Sequence, residues 1–405
     1  MSIDSDTTKF SQFFHGVSVD TIYPSSEALD ARLANGQPLR VYLGVDPTNA
    51  ILHLGHTVPL RILKRFQEQG HQAILVIGDL TATVGDPSGR DVMRSVLTRE
   101  TVEANVLALK DQIFKVLDPA KTEIHYNSEW YDDPTRMGSL RAFLQLAHSF
   151  TTAQLSERDL FQKRTEKGEP VSITEFLYPV LQAYDSVALN VDVEVGGTDQ
   201  TFNMLAGRTL LKQTTGKEKF VITTPLIVGT DGRKMSKSYG NTIGVLDAPN
   251  DMYGKLMSIP DSLIQEYFVH VTDRFITDQA MLETMIRDHP RDAKAELARE
   301  LVMLYHGSAA AQSAEDAFNA TFRDHAAPTD IEEVTLTELP RDAAELLVMT
   351  NAVTSRSEAQ RLIAQGAVSL GESKLTDPLA VVELGKTVIL LKVGKRRFWN
   401  VRLAA

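Results

Sequence analysis

The sequence contains no cysteine, which excludes disulfide bonds, thiolate nucleophiles and cysteine-ligated zinc. No stretch approaches the roughly 18 apolar residues of a membrane-spanning helix, and the first residues, MSIDSDTTKF, lack the basic start and apolar run of a secretory signal. The net charge of -11 argues against a surface coated with positive charge, although a local basic patch is still allowed. We therefore expect a cytoplasmic protein of two or three domains, with neither a membrane nor DNA as a partner.

Apolar runs alternate with helical patterns along the first part of the chain, and each run ends in a turn signal. The predicted strands are residues 39–45, 72–77, 122–126, 191–195 and 220–228, and the predicted helices between them are residues 55–69, 98–117 and 172–189. Strand, helix and strand within about 40 residues form a βαβ unit, which is typical of parallel sheets. The pattern therefore predicts an open, doubly wound, Rossmann-like α/β sheet.

The predicted organisation has five segments. Residues 1–228 form the Rossmann-like domain, and residues 229–244 form a glycine-bracketed loop. Helical patterns dominate residues 245–326, which predicts an all-α domain. Residues 327–340 have the polar, acidic character of a linker, and residues 341–405 predict a small α+β domain of about two helices followed by strands.

A turn and a helix entrance follow the first predicted strand. Backbone N–H groups at a helix N-terminus favour anions, glycine lets a ligand approach the backbone, and histidine donates to phosphate oxygens. The pattern indicates a phosphate site, and the alternative is a capping turn with incidental histidines. The residues of this segment that we assign to the site are Gly44, Asp46, Thr48, His53, Gly55 and His56.

A second segment, GRKMSKS, carries two lysines three residues apart between glycines. Such a loop suits a mobile cationic clamp on a departing pyrophosphate. Taken alone, this spacing of lysines is more commonly found on a solvated loop. The residues that we assign to a nucleotide are Lys234, Met235, Ser236, Lys237 and Ser238.

The two segments together resemble the signature pair of class I aminoacyl-tRNA synthetases. KMSKS is a complete match, and HLGH differs from the usual HIGH only by one aliphatic exchange. In this family the carboxylate of the amino acid attacks the α-phosphate of ATP, so catalysis rests on positioning and charge stabilisation. The resemblance implies that Thr48 and His53 contact the γ-phosphate and that His56 lies near the ribose and phosphate. The implied cations around the pyrophosphate are Arg90, Arg94, Lys234 and Lys237.

A helical segment, FLYPVLQAYDSVAL, carries Tyr178, Gln182 and Asp185 on one face. The alternative is a polar stripe facing solvent, but its neighbours are largely apolar. Convergent polar groups on a half-buried helix suit a small zwitterion with a polar tip. Together with Tyr42 and the run GDPSGR, this segment resembles the tyrosyl-tRNA synthetases of the second bacterial subgroup.

This second resemblance implies a role for each polar group of the pocket. Tyr42 and Asp185 are expected to bind the substrate phenol, and the residues expected to hold its ammonium group are Asp86, Tyr178 and Gln182. The residues expected to line the adenylate pocket are Gly197, Asp199 and Gln200, with Asp199 on the ribose hydroxyls. We expect no tightly bound cofactor and no protein metal site, with Mg²⁺ arriving as a companion of ATP.

Four positions depart from the common pattern of that family. Glu194 replaces a frequent glutamine, the pair Thr201-Phe202 replaces Trp-Gly, and Arg90 replaces a lysine while keeping the charge. No role is predicted for Glu194.

Residues 355–368, SRSEAQRLIAQGAV, have an amphipathic helix-turn pattern, and the following VSLGESKLTDP predicts a strand and a turn. This end of the chain resembles a small RNA-binding domain first recognised in a ribosomal protein. Residues 384–405 contain six cations and no carboxylate, with Phe398 and Trp399 among them as stacking surfaces. The alternative is a basic, solvated edge strand that prevents aggregation. The predicted RNA contacts are Arg356, Arg361, Lys395, Arg396 and Arg397.

The resemblance implies L-tyrosine, ATP and tRNA(Tyr) as partners, and a homodimer that makes contact around residues 127–165. Three rival functions share some of these features. A tryptophanyl-tRNA synthetase shares the fold and both signatures, but Tyr42 and Asp185 disfavour it. A non-catalytic RNA-binding descendant of a synthetase is disfavoured by the intact signatures. A nucleotidylyltransferase of the same superfamily would need neither the helical domain nor the RNA-binding tail.

Overall fold

The computed structural model describes residues 19–88, 97–236, 239–272, 279–322, 331–371, 373–382, 384, 387–394 and 397–404. The chain divides into two compact units, residues 1–312 and residues 313–405. Among the described residues no helix is long and apolar enough to cross a membrane.

The first unit is built on a six-stranded sheet. Its strands are β1 (Thr21–Tyr23), β2 (Arg40–Val45), β3 (Gln72–Ile77), β4 (Thr122–Tyr126), β5 (Val193–Gly197) and β6 (Phe220–Thr224). The strand order is β1-β6-β5-β2-β3-β4, and every neighbouring pair is parallel except β1 with β6. The chain runs outward from β2 to β4 on one side and from β5 to β6 on the other. The topological switch point, where such sheets bind ligands, therefore lies between β2 and β5.

The predicted doubly wound parallel sheet is confirmed, with an antiparallel edge strand that was not predicted. The strands predicted at 72–77 and 122–126 have the predicted bounds. The strand predicted at 220–228 ends at Thr224 because Pro225 has no N–H to donate to a ladder. At three residues, β1 is too short to show a pattern of its own.

Helices flank the sheet of the first unit. They are α1 (Ser26–Leu33), α2 (Leu54–Glu68), α3 (Thr81–Val84), α4 (Arg99–Ile113), α5 (Ser128–Tyr131), α6 (Leu140–Ala147), α7 (Thr152–Ser156), α8 (Asp159–Glu166), α9 (Ile173–Leu189) and α10 (Thr201–Thr215). Helix α2 buries Val58, Ile62 and Phe66, which recur every four residues and therefore lie on one face. This packing fixes the start of α2 beside the carboxyl end of β2.

Helix α9 carries the predicted substrate-binding residues, and its start is defined by its own side chains. Ser172 caps the helix, and the Glu175 carboxylate accepts a hydrogen bond from the Ser172 N–H at 3.1 Å. The helix ends at Asn190, which adopts a left-handed conformation with φ 48°.

Helices follow the sheet, as predicted for the all-α segment. They are α11 (Pro249–Met257), α12 (Ile264–Val271), α13 (Gln279–Asp288), α14 (Pro290–His306) and α15 (Ser308–Phe322).

The second unit contains a small mixed sheet packed on two helices. Its elements are β7 (Glu333–Leu336), α16 (Ala343–Met349), α17 (Arg356–Ala364), β8 (Val368–Leu370), β9 (Ser373–Leu375), β10 (Ile389–Val393) and β11 (Arg397–Leu403). The strand order is β7-β11-β10-β8-β9, with only β7 and β11 parallel. Leu346, Ile363, Leu391 and Val401 are fully buried between the helices and the sheet.

Two expectations for this region are corrected by the sheet. The segment 327–340, predicted as a linker, contains strand β7, which pairs with β11. The alternative of a basic edge strand is wrong for β11, because β11 lies between β7 and β10.

Candidate active site

Asp46 follows β2 directly and is held at the switch point by two hydroxyl groups. The Tyr178 hydroxyl donates to Asp46 Oδ2 at 2.8 Å, and the Thr81 hydroxyl donates to Asp46 Oδ1 at 2.8 Å. A Cβ at Gly78 would lie 2.0 Å from Asp46 Oδ1, so only glycine fits there. Asp46 therefore links the end of β2 to helix α9 and fixes the position of Tyr178.

Tyr42 and Asp185 form a buried polar end to this region. The Tyr42 hydroxyl lies 3.2 Å from Ser186 Oγ, and Asp185 Oδ1 accepts a hydrogen bond from Trp130 Nε1 at 3.0 Å. Burial raises the pKa of both Tyr42 and Asp185 well above their usual values, and the Asp185 carboxylate adds to the shift of Tyr42. The structure thus brings together the two residues predicted to bind a phenol.

Asp86 lies beside Gln200 at the end of β5. Gln200 Nε2 donates to Asp86 Oδ2 at 2.7 Å, and Arg158 Nη2 lies 3.5 Å from Asp86 Oδ1. Arg158 is buried and also donates to Ser88 Oγ. Asp86 therefore already faces a fixed cation, which the sequence analysis did not predict.

Gln182 connects helix α9 to the same network. Its Nε2 donates to Glu194 Oε1 at 3.1 Å, and its Oε1 accepts from Asn203 Nδ2 at 2.9 Å. Asn203 Nδ2 also donates to Gln200 Oε1 at 3.0 Å. Two of the residues predicted to hold the ammonium group, Asp86 and Gln182, are thus joined through Gln200 and Asn203, whereas Tyr178 bonds to Asp46. The predicted roles of all three stay predictions.

The two histidines of HLGH lie at the start of α2. Their ring centroids are 3.7 Å apart in a stacked arrangement, and a Cβ at Gly55 would lie 3.1 Å from the His53 ring. Burial lowers the pKa of His53 to about 2, with His56 and Lys234 contributing. The pKa of His56 is lowered as well, by surrounding protein and by Lys234, although its outer edge is exposed. His53 is therefore neutral at physiological pH, and its buried Nδ1 has no hydrogen-bond partner among the described residues.

The signature loop reaches the end of β5 through one ion pair. Lys234 Nζ lies 3.1 Å from Asp199 Oδ2, and both side chains are partly exposed. Met235 is buried and anchors the loop, and its N–H donates to Ile227 O at 3.2 Å. Gly232 has a φ of 79°, a left-handed conformation that favours glycine.

Asn241 organises this loop and was not predicted. It is 2% exposed, and its Oδ1 accepts from the Ser236 N–H at 2.8 Å. Its Nδ2 donates to Asp231 Oδ1 at 2.7 Å and to Lys234 O at 3.1 Å. One side chain therefore joins both halves of the loop.

The remaining predicted residues fall into two groups. Thr48 donates its N–H to Asp46 O at 2.7 Å and so lies beside the switch point, while Gly44 and Gly197 belong to the ends of β2 and β5. The predicted residues that lie outside the described part of the chain are Arg90, Arg94, Lys237, Ser238, Lys395 and Arg396.

Several buried partners of these residues were not predicted from the sequence. They are Trp130, Arg158, Ser186, Asn203, Lys219 and Asn241. Ser186 lies four residues after Gln182, and Asn203 three after Gln200, so extending the helical spacing would have indicated both. Lys219 carries no such signal, because a lysine in the stretch GKEKF is expected to be solvated.

Among the predicted RNA contacts in the described part of the second unit, two already bond to other protein groups and one is exposed. Arg356 pairs with Asp342, Arg397 Nη1 donates to Ala352 O at 2.7 Å, and Arg361 is exposed. Trp399 packs against the small core, so it is not the open stacking surface that was expected.

A basic face lies on the opposite side of the same strands. Lys392 pairs across β10 and β11 with Phe398, and its Nζ lies 5.4 Å from that ring. Arg402 follows four residues later on the same face, 3.6 Å from Glu333 of β7. We call Lys392, Phe398 and Arg402 the outer basic face.

Comparisons with known proteins agree with this geometry. Residues 34–323 match the family described as tRNA synthetases class I (W and Y). A tyrosine–tRNA ligase of Bordetella pertussis is 47% identical over 373 residues, covering 91% of this chain and 90% of the relative. One of Cupriavidus pinatubonensis is 48% identical over 374 residues, covering 92% and 89%. A C-terminally truncated mitochondrial tyrosyl-tRNA synthetase of Coccidioides posadasii superposes with a TM-score of 0.59 at 26% identity, covering 78% of this chain and 92% of that one.

The fold, the paired signatures and these matches define a class I tRNA synthetase of the tryptophan and tyrosine group. Within that group, the chain belongs to the tyrosine–tRNA ligase family. The predicted family is thereby confirmed, and the tryptophan alternative is not favoured.

Proposed function

We propose that the chain joins L-tyrosine to tRNA(Tyr) in two steps. The tyrosine carboxylate attacks the α-phosphorus of ATP, the bond to the β-phosphate oxygen breaks, and tyrosyl-adenylate and pyrophosphate form. The tyrosyl group then passes to the 3′-terminal adenosine of the tRNA, and AMP leaves. The observation that carries this proposal is the buried pair Tyr42 and Asp185 on the same switch point as both signature segments.

Tyrosine selection follows from the chemistry of that pair. A phenol hydroxyl both donates and accepts, so it satisfies the Asp185 carboxylate and the Tyr42 hydroxyl together. Phenylalanine would leave two buried polar groups unpaired, and the tyrosine synthetases are themselves the standard example of this rule. No editing step is needed for such discrimination.

Activation by this site rests on positioning and charge. Neutral His53 has a ring nitrogen without a hydrogen-bond partner among the described residues, and the N-terminus of α2 favours anions. Lys234 now pairs with Asp199, and ATP would redirect Lys234 to phosphate while Asp199 takes the ribose hydroxyls. Arg90, Arg94 and Lys237 complete the proposed cation set. Mg²⁺ belongs to the ATP substrate in this proposal, held chiefly by phosphate oxygens.

The outer basic face is the proposed RNA contact of the second unit. Lys392 and Arg402 supply charge for phosphates, and Phe398 supplies a ring for stacking. Arg361, Lys395 and Arg396 are proposed as further RNA contacts.

A homodimer is the proposed assembly, with helix α6 in the contact. Leu140 and Leu144 on this helix are 74% and 58% exposed, and they line a surface pocket of 550 Å³ with Arg141, Gln145 and His148. None of these residues belongs to the active site. Exposed leucines on one helical face are typical of an interface. A cytoplasmic location follows from the proposal, since tyrosine, ATP and tRNA meet there.

Pyrophosphate exchange into ATP with each of the twenty amino acids tests the adenylation step. Wild type should exchange with tyrosine alone, Asp185→Ala should lose this activity, and Asp111→Ala, an exposed position on α4, should keep it. Exchange with tryptophan instead would overturn the pocket assignment. No exchange with any amino acid would support an RNA-binding descendant.

A further inference from the structure

A buried ion pair lies directly behind the phenol end of the tyrosine pocket. Lys219 is fully buried and Glu194 is 2% exposed, and the Lys219 ammonium donates to Glu194 Oε2. Lys219 Nζ also donates to Ser186 Oγ at 2.7 Å and lies 5.8 Å from the centroid of the Tyr42 ring. Removing two charges from water is costly, and an apolar pair of similar volume is often as stable. Stability alone therefore does not account for this pair.

The ion pair constrains hydrogen bonding at Tyr42. An ammonium group can only donate, so Ser186 Oγ accepts from Lys219 and keeps its own proton for another partner. That proton has two acceptors in reach, the Tyr42 oxygen at 3.2 Å and Glu194 Oε2 at 3.5 Å, and the shorter distance favours Tyr42. The Tyr42 hydroxyl also bonds to Glu194, so its proton is directed away from Ser186, toward Glu194 and the oxygen of a bound phenol. The phenol hydroxyl then donates to Asp185.

The same ion pair determines the orientation of Gln182. A carboxylate can only accept, so Gln182 presents its NH₂ group to Glu194 Oε1 and turns its carbonyl oxygen the other way. That oxygen accepts from Asn203 and keeps a second lone pair for an ammonium group. A neutral amide at position 194 could bond either end of Gln182 and would not impose this choice.

We propose that Lys219 and Glu194 act as positioning residues that set the donor and acceptor directions at both ends of the tyrosine pocket. The Tyr42 proton is directed away from Ser186 and toward the phenol, and Gln182 becomes a committed acceptor for the ammonium group. This proposal rests on the proposed function of the site as a tyrosine-activating centre. It assigns specificity to two residues that need not touch the substrate.

The test compares a charge-free version of the pair with a matched control. Lys219→Met alone leaves a buried carboxylate without its cation and could fail to fold, so the informative variant is the double substitution Glu194→Gln with Lys219→Met. The control is Lys294→Met, which removes a lysine paired with Asp261 at 2.5 Å in the helical segment. Each protein is assayed by pyrophosphate exchange for kcat and KM with tyrosine, phenylalanine and ATP, and its thermal unfolding is recorded.

The double variant should raise the KM for tyrosine and lower the tyrosine-to-phenylalanine ratio of kcat/KM about tenfold, as expected for one misdirected buried hydrogen bond. Its KM for ATP should stay within about twofold of wild type. The control should match wild type in the KM for tyrosine, the KM for ATP and the tyrosine-to-phenylalanine ratio of kcat/KM. A folded double variant with an unchanged ratio would overturn the proposal. An equal loss for tyrosine and ATP would also overturn it, because a merely structural role has that effect. A wild-type protein that activates no tyrosine would instead contradict the proposed function of the site.

Discussion

Replacement of Asn241 by alanine should disable the signature loop without affecting the tyrosine pocket. Asn241 is buried, and its side chain makes bonds of 2.8 Å to Ser236 N, 2.7 Å to Asp231 and 3.1 Å to Lys234 O. At about 1 kcal/mol for each bond, the ordered loop loses about 3 kcal/mol, which corresponds to a factor of roughly 100. The loop is proposed to act on the departing pyrophosphate. We therefore expect kcat/KM for ATP to fall by about this factor.

Pyrophosphate exchange measures this loss directly when tyrosine and ATP are varied separately. The KM for tyrosine should stay within about twofold, because Asn241 belongs to the loop and not to the pocket that holds Tyr42 and Asp185. Asn250→Ala, at an exposed position on α11, is the matched control and should behave like wild type. Full activity of Asn241→Ala, or an equal rise of KM for tyrosine and for ATP, would contradict this role of Asn241.

Three further predictions concern other parts of the molecule. The pKa of His53 is lowered from 6.5 to about 2, so below pH 6.5 the unfolded chain binds a proton that the folded chain does not. The free energy of unfolding should therefore fall by up to about 2 kcal/mol from pH 7 to pH 5. Thermal unfolding of His53→Asn over the same pH range should show a smaller fall, and an equal fall in both proteins would contradict this prediction. Phe398→Ala should weaken tRNA binding several-fold in a filter-binding assay without changing pyrophosphate exchange. Unchanged tRNA binding would contradict the proposal that the outer basic face contacts RNA. If the chain forms the proposed dimer, Leu144→Glu should convert it to a monomer in light scattering, and a persistent dimer would exclude α6 from the interface.

The parts of the fold that follow from sequence are those with strong local patterns. Strand β3, with the sequence QAILVI, is an apolar run between turn signals, and its bounds were predicted correctly. Strand β7 was missed because EVTL is short, follows acidic residues and pairs with β11, whose partner residues lie 67 positions further along the chain. Such pairing is set by the tertiary fold, which local propensity does not encode.

The candidate site shows the same division. Three elements, HLGH, KMSKS and the polar face of α9, are each a short stretch of sequence, so their residue types alone indicate their chemistry. The role of Lys219, the residue before β6, depends instead on its contacts with Ser186 and Glu194, which the fold brings together. Arg158 is likewise defined by contacts with Asp86, 72 residues earlier in the chain. Neither contact has a signature in the local sequence.

Aminoacylation of total tRNA with labelled amino acids requires both the adenylation site and productive tRNA binding. We expect the purified chain, given ATP and Mg²⁺, to charge tRNA with tyrosine and not with tryptophan or phenylalanine. We also expect Asp185→Ala to abolish this charging and Asp111→Ala to keep it. Charging with tryptophan would contradict the assignment of the pocket, and no charging by a folded wild type would contradict the assigned activity.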